Sequence, residues 1–136
     1  MHNMIIITAF KRNVICYYVR MADSIVQKPE ESDLILKFLD GSMHYTADLP
    51  SMKVGKGIYK PGWRWSVHTS SDQSGRDEKH IGYVLSGQMV IKSVSGEEII
   101  IGPGEAFEIT PNHDAWVLGN EPCVALDFAS KPNINL

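Results

Sequence analysis

The sequence predicts an all-β domain, a sandwich or barrel of short antiparallel strands, and three observations carry that prediction. Ten of the eleven glycines lie at or beyond Gly55. Over the same part of the chain, apolar segments of five to eight residues alternate with Gly, Pro, Asn or Asp turns, which is how strands are spaced in β sandwiches and barrels. No segment there sustains a 3.6-residue period, so helices are not expected.

Taken in order, residues 1–20 place MIIITAF and VICYYV on either side of the polar KRN, a pattern for a hairpin or an added strand pair. Met21 then opens a polar stretch through Asp33 that resembles the start of a mature protein. Residues 1–20 are therefore read as an extension apart from a single domain over 21–136, with initiation at Met21 as the alternative. The run LILKFL over 34–39, closed by Asp40-Gly41, fits a strand or one helical turn. Strands are predicted over 53–59, 63–69, 80–86, 88–95, 97–101, 106–110, 115–119 and 123–129. Pro61-Gly62 and Pro103-Gly104 supply turns, Ser86-Gly87 and Ser95-Gly96 suit tight hairpins, and Pro122 interrupts a ladder because it has no N–H to donate. The polar tract TSSDQSGRDEK, residues 69–79, is expected to be a long solvated loop.

With 136 residues, 43% hydrophobic and 21% charged, the chain has the composition of one ordinary globular domain. A net charge of −3 with no stripe of Lys and Arg argues against nucleic-acid binding. No apolar run is long enough to span a bilayer, and MIIITAF lacks the preceding basic residue and cleavage site of a secretory signal. Cys16 and Cys123 stand far apart in no metal or redox spacing, so a reducing, cytoplasmic setting is expected, with Cys123 a small buried hydrophobe. The expected partner is a small molecule. There is no phosphate-cradling glycine loop, since GPGE and GKG lack the frame, and no nucleophile elbow.

Residues 62–119 resemble the paired motifs of the cupin superfamily. Gly62 is followed after five residues by His68, and His80 after six residues by Gly87 in HIGYVLSG, which fits both ends of the first motif. The second motif is similar to the segment from Gly104 through GEAFEITPNHDAW. Ser70 stands where a second histidine would be and His80 where a glutamate would be. Thr110, Asn112 and Ala115 replace the proline, glycine and histidine of the second motif. His113 lies two residues before Ala115, so on an extended backbone it faces the same way. The resemblance implies an antiparallel jelly-roll β-barrel.

At these positions His68, His80 and His113 are expected to hold a divalent transition metal, zinc first, with nickel, iron, cobalt or copper also accommodated. Asp77, Glu78 and Asp114 are candidate replacements for the missing glutamate, although loop carboxylates are more often solvated. Each histidine taken singly fits a local hydrogen bond. Strand alternation puts Arg64, Ser66, His68 and Ser70 on the cavity face and Trp63, Trp65 and Val67 outside. Arg64 would then favour a small anionic ligand, or else form a surface salt bridge with a loop acid. Ser66, Ser70 and Tyr83 are the other ligand-binding candidates. Trp116 is read as packing, and outward-facing Trp63 and Trp65 imply a homodimer. The function expected is a small-molecule-binding module. The rivals are a metal-dependent oxygenase or isomerase acting on a carboxylate- or carbonyl-bearing substrate, and an empty structural barrel.

Overall fold

The structure, a computed structural model, describes residues 5–11 and 14–20 as strands and residues 24–69 and 79–131 with their side chains. Ser70, Asp77 and Glu78 fall outside the described residues. The strands are β1 (Ile5–Lys11), β2 (Val14–Arg20), β3 (Ile25–Gln27), β4 (Ile35–Lys37), β5 (Met43–Asp48), β6 (Met52–Tyr59), β7 (His80–Ser86), β8 (Gln88–Lys92), β9 (Glu98–Ile101), β10 (Ala106–Ile109), β11 (Asp114–Leu118) and β12 (Cys123–Ser130). One helical turn, α1 (Trp65–His68), and a 3-10 turn, Pro29–Glu31, interrupt them. Among the described residues no helix is long and apolar enough to cross a membrane.

The architecture is antiparallel β throughout, a jelly-roll arrangement. A six-stranded sheet runs β10-β7-β12-β6-β5-β4 and a three-stranded sheet runs β11-β8-β9, while β1-β2-β3 form a separate three-stranded sheet. Period-2 alternation decides which side chains meet between the two main sheets. Val84 from β7, Cys123 and Ala125 from β12, Met89 and Ile91 from β8, Ile101 from β9, Ile109 from β10 and Ala115 and Val117 from β11 form one buried cluster with Phe38 and Trp63. Burial pushes the Cys123 thiol up to about 11, so it packs as a neutral small hydrophobe. On the outer face, Lys56 reaches Glu30 and pins the 3-10 turn over β6. That contact holds the Glu30 carboxyl below its usual range.

The predicted strand over 63–69 is replaced by a turn, one extended residue and α1. Pro61 and Gly62, with Gly62 at φ 86°, form a type II turn closed by Trp63 N–H donating to Lys60 C=O at 3.0 Å. Arg64 is extended and makes a single bridge to Trp116 on β11. The chain then coils, because the Asp114 carboxylate accepts the Ser66 N–H at 3.0 Å and so satisfies an orphan donor of the helical turn. Alternation over 63–65 survives with its faces reversed. Trp63 is 2% exposed and Trp65 packs against the core. Burying two indoles removes far more apolar surface from water than burying one guanidinium would. Phe38 meets Trp63 edge-on at 5.3 Å, and Tyr59 meets it at 4.4 Å between ring centroids. The tryptophans that implied a homodimer are thus covered by the chain's own core. Val67 does face outward, at 59% exposure.

Candidate functional site

His80 opens β7 and points between the sheets, with Gly82 and Val84 following on the same face. His113 stands at the corner before β11. Asn112 there has φ 63°, a left-handed conformation that asparagine tolerates better than most residues. The corner turns the imidazole inward, to 7% exposure. The two rings meet edge to face at 5.1 Å between centroids. The His113 Nδ1–H donates to Thr110 C=O at 2.9 Å, which fixes the tautomer with its lone pair on Nε2. His113 and Ala115 line one inner cavity of about 70 Å³.

His68 does not join them. It ends α1, where its Nδ1 accepts the Arg64 N–H at 2.8 Å. The neutral ring then carries its proton on Nε2 and has no lone pair left for a cation. Among the described residues no group of three or more His, Cys, Asp and Glu is arranged to hold a metal ion. The three-imidazole centre is therefore not matched by the residues described.

Arg64 and Ser66 are taken up by a different job. Arg64 Nε donates to Asp114 Oδ2 at 2.9 Å, Ser66 Oγ donates to the same oxygen at 2.8 Å, and Ala115 N–H donates to Oδ1 at 2.9 Å. The guanidinium lies over the Trp116 ring, 4.4 Å from its centroid, a cation–π contact. Of the two readings of Arg64, the salt bridge is the one the geometry contains, and neither cavity lined by His80 includes Arg64 or Ser66. Tyr83 sits on the outer face of β7 with Ile81 and Leu85, at 40% exposure, away from His80.

Burial draws the Asp114 carboxyl upward, but hydrogen bonds from Ser66, Ala115 and Arg64 outweigh it and leave the group below its usual range. A depressed carboxyl stabilises the fold above its unfolded pKa, near 3.9 for Asp, and that contribution disappears as pH falls through the folded value. Asp114→Asn should therefore lower stability measured by urea unfolding at about pH 6 while narrowing its gap from wild type near pH 3. Equal losses at both pH values would show that the carboxylate charge does not hold the clamp.

The groups that sequence reasoning passed over lie on the central strands. His44 on β5 and Asp127 on β12 flank β6, in register with Gly57 and Gly55 respectively. Strands two apart in a sheet are separated by roughly 10 Å, yet His44 Nε2 and Asp127 Oδ2 meet at 2.6 Å. They do so over Gly55, where a Cβ would fall on both the carboxylate and the imidazole. At Gly57 a Cβ would fall on the Tyr59 ring, so the two glycines clear space for a dyad and a phenol side by side. Burial, with Asp127 and Cys123 adding to it, drives the Tyr59 phenol well above its ordinary value, so Tyr59 stays protonated. His44, Asp127, Tyr59, Trp65 and His80 line an outer cavity of about 210 Å³, and all but His44 also line the inner one.

Residues 58–129 match the family model described as the cupin domain, more than half of the 136 residues. The chain belongs to the cupin family. No curated protein matches this cupin. Among solved structures it is similar to KdgF from Halomonas sp., with 20% identity and a TM-score of 0.53, over 78% of this chain and 93% of that one. An RmlC-like cupin from Shewanella frigidimarina gives 18% identity and a TM-score of 0.51, over 73% and 84% of the two chains. The polyketide cyclase RemF from Streptomyces resistomycificus gives 22% identity and a TM-score of 0.50, over 65% and 64%. At these identities the likeness is one of fold.

Proposed function

We propose that this cupin is a small-molecule-binding domain whose ligand occupies the two adjoining cavities between its sheets. The observation that carries the reading is their shared wall, Tyr59, Trp65, His80 and Asp127, which combines aromatic faces with a few convergent polar groups as ligand pockets do. Arg64 pairs with Asp114 through Nε and lines neither cavity, so no contact to the ligand is assigned to it. Lys79 lines the outer cavity and pairs with Glu108 at 3.2 Å. The polar surface inside is otherwise imidazole, phenol and carboxylate, which favours a neutral or weakly acidic planar molecule over a strong anion. A transition metal would find His80 and His113 but not His68.

An NMR screen of small aromatic and carboxylate fragments tests this. Hits should perturb the His80 ring and the Trp65 indole together, and His80→Ala should weaken them about tenfold, the loss of one hydrogen bond of roughly 1.4 kcal/mol. Hits that perturb only outer-face residues such as Tyr83 would refute the cavity.

A further inference from the structure

The His44–Asp127 pair has no place in the two sequence motifs, and a hydrogen bond across an intervening strand demands explanation. The side chains are 20% and 31% exposed, so both are largely withdrawn from water while lining the outer cavity. Asp127 as a carboxylate accepts from Nε2–H, which leaves the lone pair of the neutral His44 ring on Nδ1. Among the described residues, no hydrogen bond to that nitrogen is present. A carboxylate behind an imidazole fixes its tautomer and stabilises the imidazolium that forms on proton uptake. Around the dyad stand Phe38, Tyr59 and Trp65, with Phe38 and Trp65 edge to face at 6.2 Å between centroids. Such walls favour a flat ring. Tyr59, His80 and Lys79 are the other titratable groups facing the same cavity.

We infer that the His44–Asp127 pair is a proton-accepting site that takes up a small phenol or enol and holds it as its anion. The ligand O–H bond breaks, its electron pair stays on the ligand oxygen, and the proton bonds to His44 Nδ1. The resulting imidazolium lies between two negative oxygens, those of the ligand and of Asp127. This inference rests on the cavity reading above, and it adds a chemical class of ligand and a direction of proton movement.

4-Nitrophenol is a suitable probe, because its neutral and ionised forms absorb at different wavelengths. At a pH below the probe's own pKa, wild-type protein should bind it and bring out the phenolate band. His44→Gln should bind it more weakly and only as the neutral phenol, and Asp127→Asn should reduce the phenolate fraction at least tenfold. Circular dichroism establishes that each variant is folded, and the two variants remove the proton acceptor and its counter-charge independently. Binding by the wild type in the neutral form, or a phenolate band that persists in His44→Gln, overturns the dyad's role and leaves the cavity reading intact. Absence of any binding to the wild type, by absorbance and by NMR, overturns both.

Discussion

Trp63→Ala should destabilise the domain by about 3–5 kcal/mol, the range for removing a large buried aromatic and a large share of the roughly 5–15 kcal/mol that holds a domain together. Trp63 is 2% exposed and lies in contact with Phe38, Tyr59 and Trp65. It also anchors the segment that leads into α1, because its C=O accepts the Val117 N–H at 3.0 Å. Truncation would leave a cavity beneath the site and release the tie between the 60–63 turn and β11. Guanidinium unfolding measures the loss directly. A decrease under about 1 kcal/mol would mean that the aromatic cluster collapses around the gap, and the assigned anchoring role would fall. Trp63→Phe, which keeps a ring in the cluster, should cost distinctly less.

Gly55→Ala should separate His44 from Asp127 while the sheet survives. The added Cβ falls on the far ends of two side chains, not on backbone, so β6 keeps its register and the dyad gives way. A hydrogen bond between such groups is worth about 1.5–3 kcal/mol, and the alanine returns about 0.4–1 kcal/mol through the less flexible unfolded chain. The net loss is then about 0.5–2.6 kcal/mol, together with the disappearance of the low-field His44 Nε2–H resonance expected for a 2.6 Å contact. If that resonance and the unfolding midpoint are both unchanged, the sheet has enough slack to admit a methyl group, and Gly55 is not what the pair depends on.

Local chemistry made most of the ladder legible. The segments at 53–59, 80–86, 106–110 and 123–129 correspond to β6, β7, β10 and β12 within one residue at either end, because glycine and proline punctuate them. The failure at 63–69 has a specific cause. PGWRWSVH alternates correctly, but alternation is blind to which face is inside, and the partner that coils the segment, Asp114, lies 48 residues away from Ser66. The motif frame located His80 and His113, which meet. It placed His68 with them, but a backbone N–H occupies that ring's acceptor nitrogen. His44 went unnoticed because its partner is 83 residues distant and neither residue sits in a motif. One signal was present. GKG inside an otherwise regular strand marks a place where something approaches the backbone closely, and here it is the dyad and the phenol.

Trp63 has one further property. Its Nε1–H is buried without a hydrogen-bond partner among the described residues, and its ring lines the inner cavity. A buried donor left unpaired costs about 1–3 kcal/mol, which the close ring contacts of Trp63 with Phe38 and Tyr59 must more than offset. Trp63→Phe removes that unmet donor while keeping a ring in the cluster, a second physical reason for its smaller expected cost.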